Sequence, residues 1–371
     1  MSALHSAAWR GDTQAIRDLV AAGAAVDSVA RVSLGGSARV PATPLMVAAG
    51  SGAGATVETL RLLVELGAEP AWREQGRTAL RFAAGGYDLG APAPLDCAER
   101  LNLGADPARF LSGRAGFRAR RGAGPRPGGD ASRVRYLLEH GCWADETDYD
   151  GVTVLAEAAM TGDPARVAVL IEYGASPDPT ADALLAMEPD GAWTVHLDLR
   201  VPLFAAAASS VAVLAQLVEG GAHLRLRDER NNTALYFARD AETARWLVAA
   251  GLDLEQRTTG DRTPLMVAVD EGDVTRARAL LLAGANPNAT HDRGYTVLML
   301  AASSMNRSVE MLKVLVEHGA DPRAVSELGW NALHAALDVN GAEANRPEVV
   351  KGIFTYLHEL GLNRNRRNPR G

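Results

Sequence analysis

Thr263-Pro264-Leu265 opens a stretch that continues through Ala277-Arg278-Ala279-Leu280-Leu281-Leu282-Ala283-Gly284-Ala285. Ala277, Leu280, Leu281, Gly284 and Ala285 stand at offsets 0, 3, 4, 7 and 8. The first three lay one apolar stripe along a helix, and the glycine marks where that helix ends in a left-handed turn. Upstream, Thr263 can cap an earlier helix whose Leu265 faces inward. The stretch therefore reads as two helices joined by a turn.

The same pattern recurs along the chain. Its glycines are Gly23, Gly67, Gly141, Gly174, Gly221, Gly251, Gly284, Gly319 and Gly361. Its capping triplets include Thr43-Pro44-Leu45, Thr78-Ala79-Leu80, Thr153-Val154-Leu155 and Thr233-Ala234-Leu235. The anchor leucines are Leu4, Leu45, Leu80, Leu155, Leu203, Leu235, Leu265, Leu298 and Leu333. A two-helix unit repeated in this way decides the fold before any other feature is weighed.

Two segments carry a family resemblance most clearly: Ala3-Leu4-His5-Ser6-Ala7-Ala8-Trp9-Arg10-Gly11-Asp12 and Leu315-Val316-Glu317-His318-Gly319-Ala320-Asp321-Pro322. They resemble the ankyrin repeat family. The resemblance implies an all-α solenoid of stacked helix pairs with β-hairpin fingers, used as a binding surface for another protein. It implies no common ligand and no common chemistry. Repeats are expected at about 1–30, 42–75, 76–148, 151–180, 200–229, 231–259, 261–292, 294–327 and 329–371, forming a single solenoid over 1–371.

Spacing locates the insertions. A regular unit has 19 residues from leucine to glycine and 14 from glycine to the next leucine, as in 265 to 284 and 284 to 298. The finger after Gly23 is longer by 8 and the finger after Gly174 by 15. The third unit holds an insert at about 85–130, the ninth one at about 338–347, and the sixth is short by 3 (235 to 251 is 16). Inserts in a stack must leave it as loops, and such loops often carry function.

The formal net charge is −7, and residues 109–135 alone carry +7, so the rest carries −14. The basic loop contains Arg114, Arg118, Arg120, Arg121 and Arg126 among glycines and prolines, a composition expected to be mobile. Nucleic acid is expected only through this loop. Lysine occurs only at Lys313 and Lys351, a skew that reads as a GC-rich, bacterial genome. Cys97 and Cys142 read as two reduced thiols, and no leader or long apolar run points to a membrane. The expectation is a cytoplasmic monomer without cofactor or metal. Residues 363–371 read as half of another finger, so the chain is either cut within a longer array or closed by its arginine-rich end.

No phosphate-cradling loop and no metal-ligand spacing is present. His5 and His334 follow anchor leucines, and His140 and His318 precede helix-ending glycines, where a cationic ring suits the negative helix end. His196 lies in the alternating run Ala192–Arg200, which puts Trp193, Val195, Leu197 and Leu199 on one face and Thr194, His196, Asp198 and Arg200 on the other. Trp, Tyr and Arg most often anchor interfaces. The partner-binding surface is accordingly expected at Trp72, Arg73, Asp148, Tyr149, Trp193, His196, Arg200, Arg227, His291 and Trp330, with Asp228, Arg230, Arg257 and Arg262 as further exposed finger residues. The centre of that surface is expected between the two long fingers. The alternative is an enzyme or small-ligand binder whose pocket is walled by 31–41, 85–130 and 178–200.

Overall fold

The computed structural model describes residues 2–33, 39–51, 54–74, 76–85, 130–147, 152–178, 184–187, 193–195, 201–228, 230–337 and 347–362. They group into two compact units, Met1–Asp178 with Ala212–Ala222, and Pro179–Val211 with His223–Gly371.

In the first unit, helices α1 (Ala3–Arg10), α3 (Pro44–Ala49), α5 (Ala79–Gly85) and α7 (Val154–Thr161) stack one on the next. Their partners α2 (Thr13–Ala21), α4 (Val57–Glu65), α6 (Ala131–Glu139) and α8 (Pro164–Glu172) form a second row. In the second unit α9 (Pro202–Ala207), the turn Ala234–Tyr236, α12 (Pro264–Asp270), α14 (Val297–Ser303) and α16 (Ala332–Leu337) make the first row. Beside it run α11 (Ala241–Ala249), α13 (Val274–Leu282), α15 (Val309–Glu317) and α17 (Pro347–Glu359). The remaining helix, α10 (Val211–Glu219), falls with the first unit from Ala212 onward.

All nine anchor leucines are buried. The nine helix-ending glycines have φ between 79° and 105°, a region that costs an L side chain energy. At Gly284 the amides of Gly284 and Ala285 return to the carbonyls of Leu281 and Leu280 at 3.0 Å each, closing the last turn of α13 as the sequence requires.

Capping follows the threonines with one exception. Thr43, Thr153, Thr263 and Thr296 accept from the amides of Met46, Ala156, Met266 and Met299 at 3.1–3.3 Å. Thr233 makes no such bond, and the segment after it is a 3₁₀ turn over Ala234–Tyr236 instead of a helix. The three missing residues of this repeat are taken from its first helix. Leu235 stays buried nonetheless, so packing holds the repeat where its own helix is lost.

A feature the sequence reading missed joins successive pairs. Eight residues before Gly141, Gly174 and Gly284, at a position otherwise filled by Ala15, Thr59, Val213, Thr243, Met311 or Ile353, stand Arg133, Arg166 and Arg276. Arg133 Nη1 donates to the carbonyls of Ala48 and Ala49 at 3.2 and 3.3 Å, Arg166 Nη1 to Ala84 at 3.2 Å, and Arg276 Nη1 to Tyr236 at 2.7 Å. Each guanidinium thus completes the C-terminal end of the preceding pair's first element, where carbonyls are orphaned and the dipole is negative. Ser51 does the same for Trp9 at 2.8 Å, and Ser304 and Asn306 for Asp270 at 3.0 Å each.

The fingers are hairpins. β1 (Ala30–Ser33) pairs antiparallel with β2 (Arg39–Ala42) in the first long finger. In the second, β3 (Leu184–Met187) pairs antiparallel with β4 (Trp193–Val195), which pairs parallel with β5 (Arg227–Asp228) of the next finger. β6 (Thr290–His291) and β7 (Tyr295–Thr296) form a regular short finger.

Candidate recognition surface

In the second unit the fingers are tied to one another. Thr259 N donates to Arg230 O, Arg257 Nη2 to Thr290 O and Glu327 N to Arg293 O, each at 2.9 Å, and Asn231 Nδ2 donates to Arg257 O. Below the tips, a second set of rungs links the turns that follow the second helices. The amide two residues after one helix-ending glycine donates to the side chain four residues after the preceding one. Asn286 N reaches Glu255 at 2.8 Å and Asp321 N reaches Asn288 Oδ1 at 2.7 Å. Between Arg225 and Asp253 the two places are filled by opposite charges.

The first unit has the same rungs at Glu69 N to Asp27, 3.2 Å, and Ser176 N to Asp145, 2.7 Å. Between them the two places hold Ala71 and Trp143. Trp143 is 68% exposed and Trp72, next to Ala71, 38%. Arg73 is half exposed and ion-paired at 3.6 Å with buried Glu146. Burial pushes the Glu146 carboxyl up, while Thr78 and the guanidinia of Arg81 and Arg73 pull against it.

The expected surface residues separate accordingly. Trp72 and Arg73 lie on the exposed finger of the first unit. Arg227 is half-buried in β5, and Trp193 lies on β4. His291 is half-buried in β6, edge-on to Tyr295 at 5.5 Å, with its pKa lowered by desolvation and the nearby Arg262. Trp330 is half-buried, its amide donating to Ser326 Oγ at 3.2 Å. Asp228, read from sequence as an exposed tip, is buried: it accepts from the amides of Arg230 and Asn232 at 2.9 and 2.8 Å and from the Asn232 side chain at 2.6 Å. It shapes the finger from within. Asp148, Tyr149, His196, Arg200 and the basic-loop residues Arg114, Arg118, Arg120, Arg121 and Arg126 lie outside the described residues. Trp143 escaped the sequence reading, which looked at finger tips. The signal was present in its column, where Ala25, Glu69, Ser176, His223, Asp253, Asn286 and Asp321 are small or polar.

Residues 203–291 and 265–364 match a family model described as ankyrin repeats (3 copies). Residues 203–364 thus carry ankyrin repeats, and the fold is an all-α ankyrin solenoid. The chain is 33% identical over 128 residues to a putative ankyrin repeat-containing protein of Treponema pallidum (strain Nichols), covering 33% of this chain and 42% of that one. It is 29% identical over 175 residues to the B-cell lymphoma 3 protein homolog of Mus musculus, covering 46% of this chain and 36% of the relative. The chain thus spans less than half the length of these curated relatives.

Ankyrin repeats are generally protein–protein interaction modules, and four of the histidines here bond within the stack. His5 donates from Nε2 to Ala42 O at 2.9 Å and accepts from the Ser2 hydroxyl at Nδ1, 2.6 Å; burial holds its pKa down. His140 and His318 donate from Nδ1 to the carbonyls of Tyr136 and Val314 at 2.7 and 2.8 Å, at the helix ends expected for them. His334 Nδ1 lies 2.7 Å from Asn331 Oδ1, the cap of α16. Burial pushes the Cys142 thiol up to about 12, so it is protonated and unreactive at neutral pH. Among the described residues no group of His, Cys, Asp and Glu is placed to hold a metal ion, and no helix is long and apolar enough to cross a membrane. A shallow groove of about 430 Å³ runs over α4, α6 and α8, floored by Val57, Ala131, Ala165 and Val169 and edged by Arg61 and Arg135. Arg135 is held by Glu172 at 2.8 and 2.6 Å. Of the segments offered as pocket walls, 85–130 and 178–200 fall largely outside the described residues.

Proposed function

We propose that this chain is a recognition module of nine ankyrin repeats that binds a protein partner non-covalently on its finger side, without chemistry of its own. The observation that carries the reading is the finger of the first unit. There Trp72 is exposed beside Arg73, whose guanidinium is steadied by buried Glu146. Trp and Arg are among the residues that most often supply binding energy at interfaces, and here the two stand side by side. Finger residues of the second unit extend the platform. The reading includes a monomer in a bacterial cytosol, the setting favoured by an arginine-rich composition with two cysteines.

The test uses the intact chain and the partner it captures. Trp72→Ala should weaken that complex by about 2 kcal/mol, roughly thirtyfold, with the circular dichroism unchanged. Trp330→Ala, in the second unit, should leave affinity within a factor of about two. Loss confined to Trp330→Ala would move the site to the second unit and overturn the reading.

A further inference from the structure

We propose that Trp143 and the acidic turns around it form a contact surface for an arginine- or lysine-bearing segment of a protein partner. This surface shares the turn 67–73, which holds Trp72 and Arg73, with the finger-side reading, and is told apart from it by Trp143, which that reading does not use.

The first observation is the broken rung. Turns on either side of Trp143 are linked by carboxylates that accept a neighbour's amide, Asp27 from Glu69 at 3.2 Å and Asp145 from Ser176 at 2.7 Å. At Ala71 and Trp143 the chain gives up such a bond, and the indole gains no burial in exchange, being 68% exposed. A stack built for stability alone would bury that ring or replace it with a polar residue. Trp143 does not stand alone: Trp72, 38% exposed, lies on the adjoining turn, which Cys142 Sγ meets at Pro70 O at 3.3 Å. Exposed apolar surface shared by two indoles marks an interaction site where a single scattered residue would not.

The second observation is charge. The four turns 23–29, 67–73, 141–147 and 174–178 carry Asp27, Glu69, Asp145, Glu146 and Asp178 against Arg73. Arg73 is already engaged by Glu146 at 3.6 Å. The carboxylates are near the indole along the chain and across it: Asp145 is two residues on, and the Cys142 thiol beside Trp143 lies 3.3 Å from Pro70 O, next to Glu69. A purely apolar partner would have to desolvate these carboxylates without compensation, and an acidic one would be repelled. A cationic side chain meets both demands, since an indole face is the best aromatic acceptor for a guanidinium or ammonium. The chain uses the same contact internally, with Arg135 over the Tyr173 ring at 5.6 Å and Lys313 over Tyr356 at 5.8 Å.

The experiment is calorimetric titration of the full chain with the peptide acetyl-(Gly-Arg)₃-amide, and with acetyl-(Gly-Glu)₃-amide as its counterpart. The arginine peptide should bind, with affinity falling as salt rises. Trp143→Ala should weaken it by about threefold or more, whereas Trp143→Phe, which keeps an aromatic face, should retain most of the affinity. Glu69→Gln should also weaken binding, and Trp330→Ala should leave it unchanged. Equal affinity in Trp143→Ala and the parent chain overturns the proposal. So does a Phe variant as weak as the Ala variant, or a glutamate peptide that binds as tightly.

Discussion

The second unit bonds its fingers together tip to tip, through Arg230 to Thr259, Arg257 to Thr290 and Arg293 to Glu327. The first unit instead leaves Trp72 and Trp143 facing solvent between two intact rungs. Apart from the 3₁₀ turn at Ala234–Tyr236, both units use the same helix pairs, the same glycine stops and the same buried leucines. Their difference therefore lies in the turn layer and not in the core. Where polar partners complete each rung, the surface contributes to stability. Where aromatic residues interrupt the pattern without becoming buried, the surface is left for recognition.

The largest test strikes the common core on which the comparison depends. Leu265→Ala should cost about 2–5 kcal/mol, as for a buried leucine, with loosening felt chiefly in the adjoining repeats. Hydrogen exchange that rises uniformly over both units would remove the premise that each pair is held by its neighbours. A smaller effect is expected from Arg133, one of the buried guanidinia of the first unit. Arg133→Met keeps the volume but orphans the carbonyls of Ala48 and Ala49, which should cost about 1–3 kcal/mol in a denaturant melt. A melt indistinguishable from the parent would show that water caps α3 equally well.

Proton linkage sharpens the comparison further, because among the described residues each unit contains one histidine whose pKa burial lowers, His5 in the first and His291 in the second. The unfolded chain protonates these rings near 6.5 while the folded chain does not. Their contribution to stability is therefore fully present above pH 6.5 and is lost as pH falls through 6.5 toward the folded value. Melts at pH 8 and 5.5 should show the decline, and His5→Asn should flatten it in the first unit. Because carboxyls raised by burial, Glu146 among them, act in the opposite sense, the comparison is between variant and parent. A His5→Asn chain whose stability changes with pH just as the parent's does would contradict the buried neutral assignment.

The stack itself was legible because period and punctuation are local. Gly23 through Gly361 all adopt the left-handed conformation, and the leucines read as anchors are all buried. The spacing also showed that the sixth repeat lacks three residues, but not that Thr233 would lose its cap, since that follows from how the neighbours hold Leu235 in place. Arg133, Arg166 and Arg276 were invisible for a related reason. An arginine on the inner stripe of a helix reads as an exception until the carbonyls it reaches, some 40 or more positions away, are known. Asp228 was misplaced to the surface because its acceptor role depends on the fold of its own finger. Trp143 could have been found by comparing its column across repeats, a signal carried by the chain alone.

Hydrogen exchange at three amides of the first unit tests the central distinction most directly. Glu69 and Ser176 donate to Asp27 and Asp145, whereas the position that would accept from Trp143 holds Ala71, which has no side-chain acceptor. The amides of Glu69 and Ser176 should be protected, and that of Trp143 should exchange faster by about tenfold or more, as for loss of a bond worth about 1 kcal/mol or more. Ala71→Asp should bring Trp143 into line with its neighbours. If Trp143 in the parent chain is already as protected as Ser176, the rung is not broken and the recognition surface assigned to the first unit falls with it.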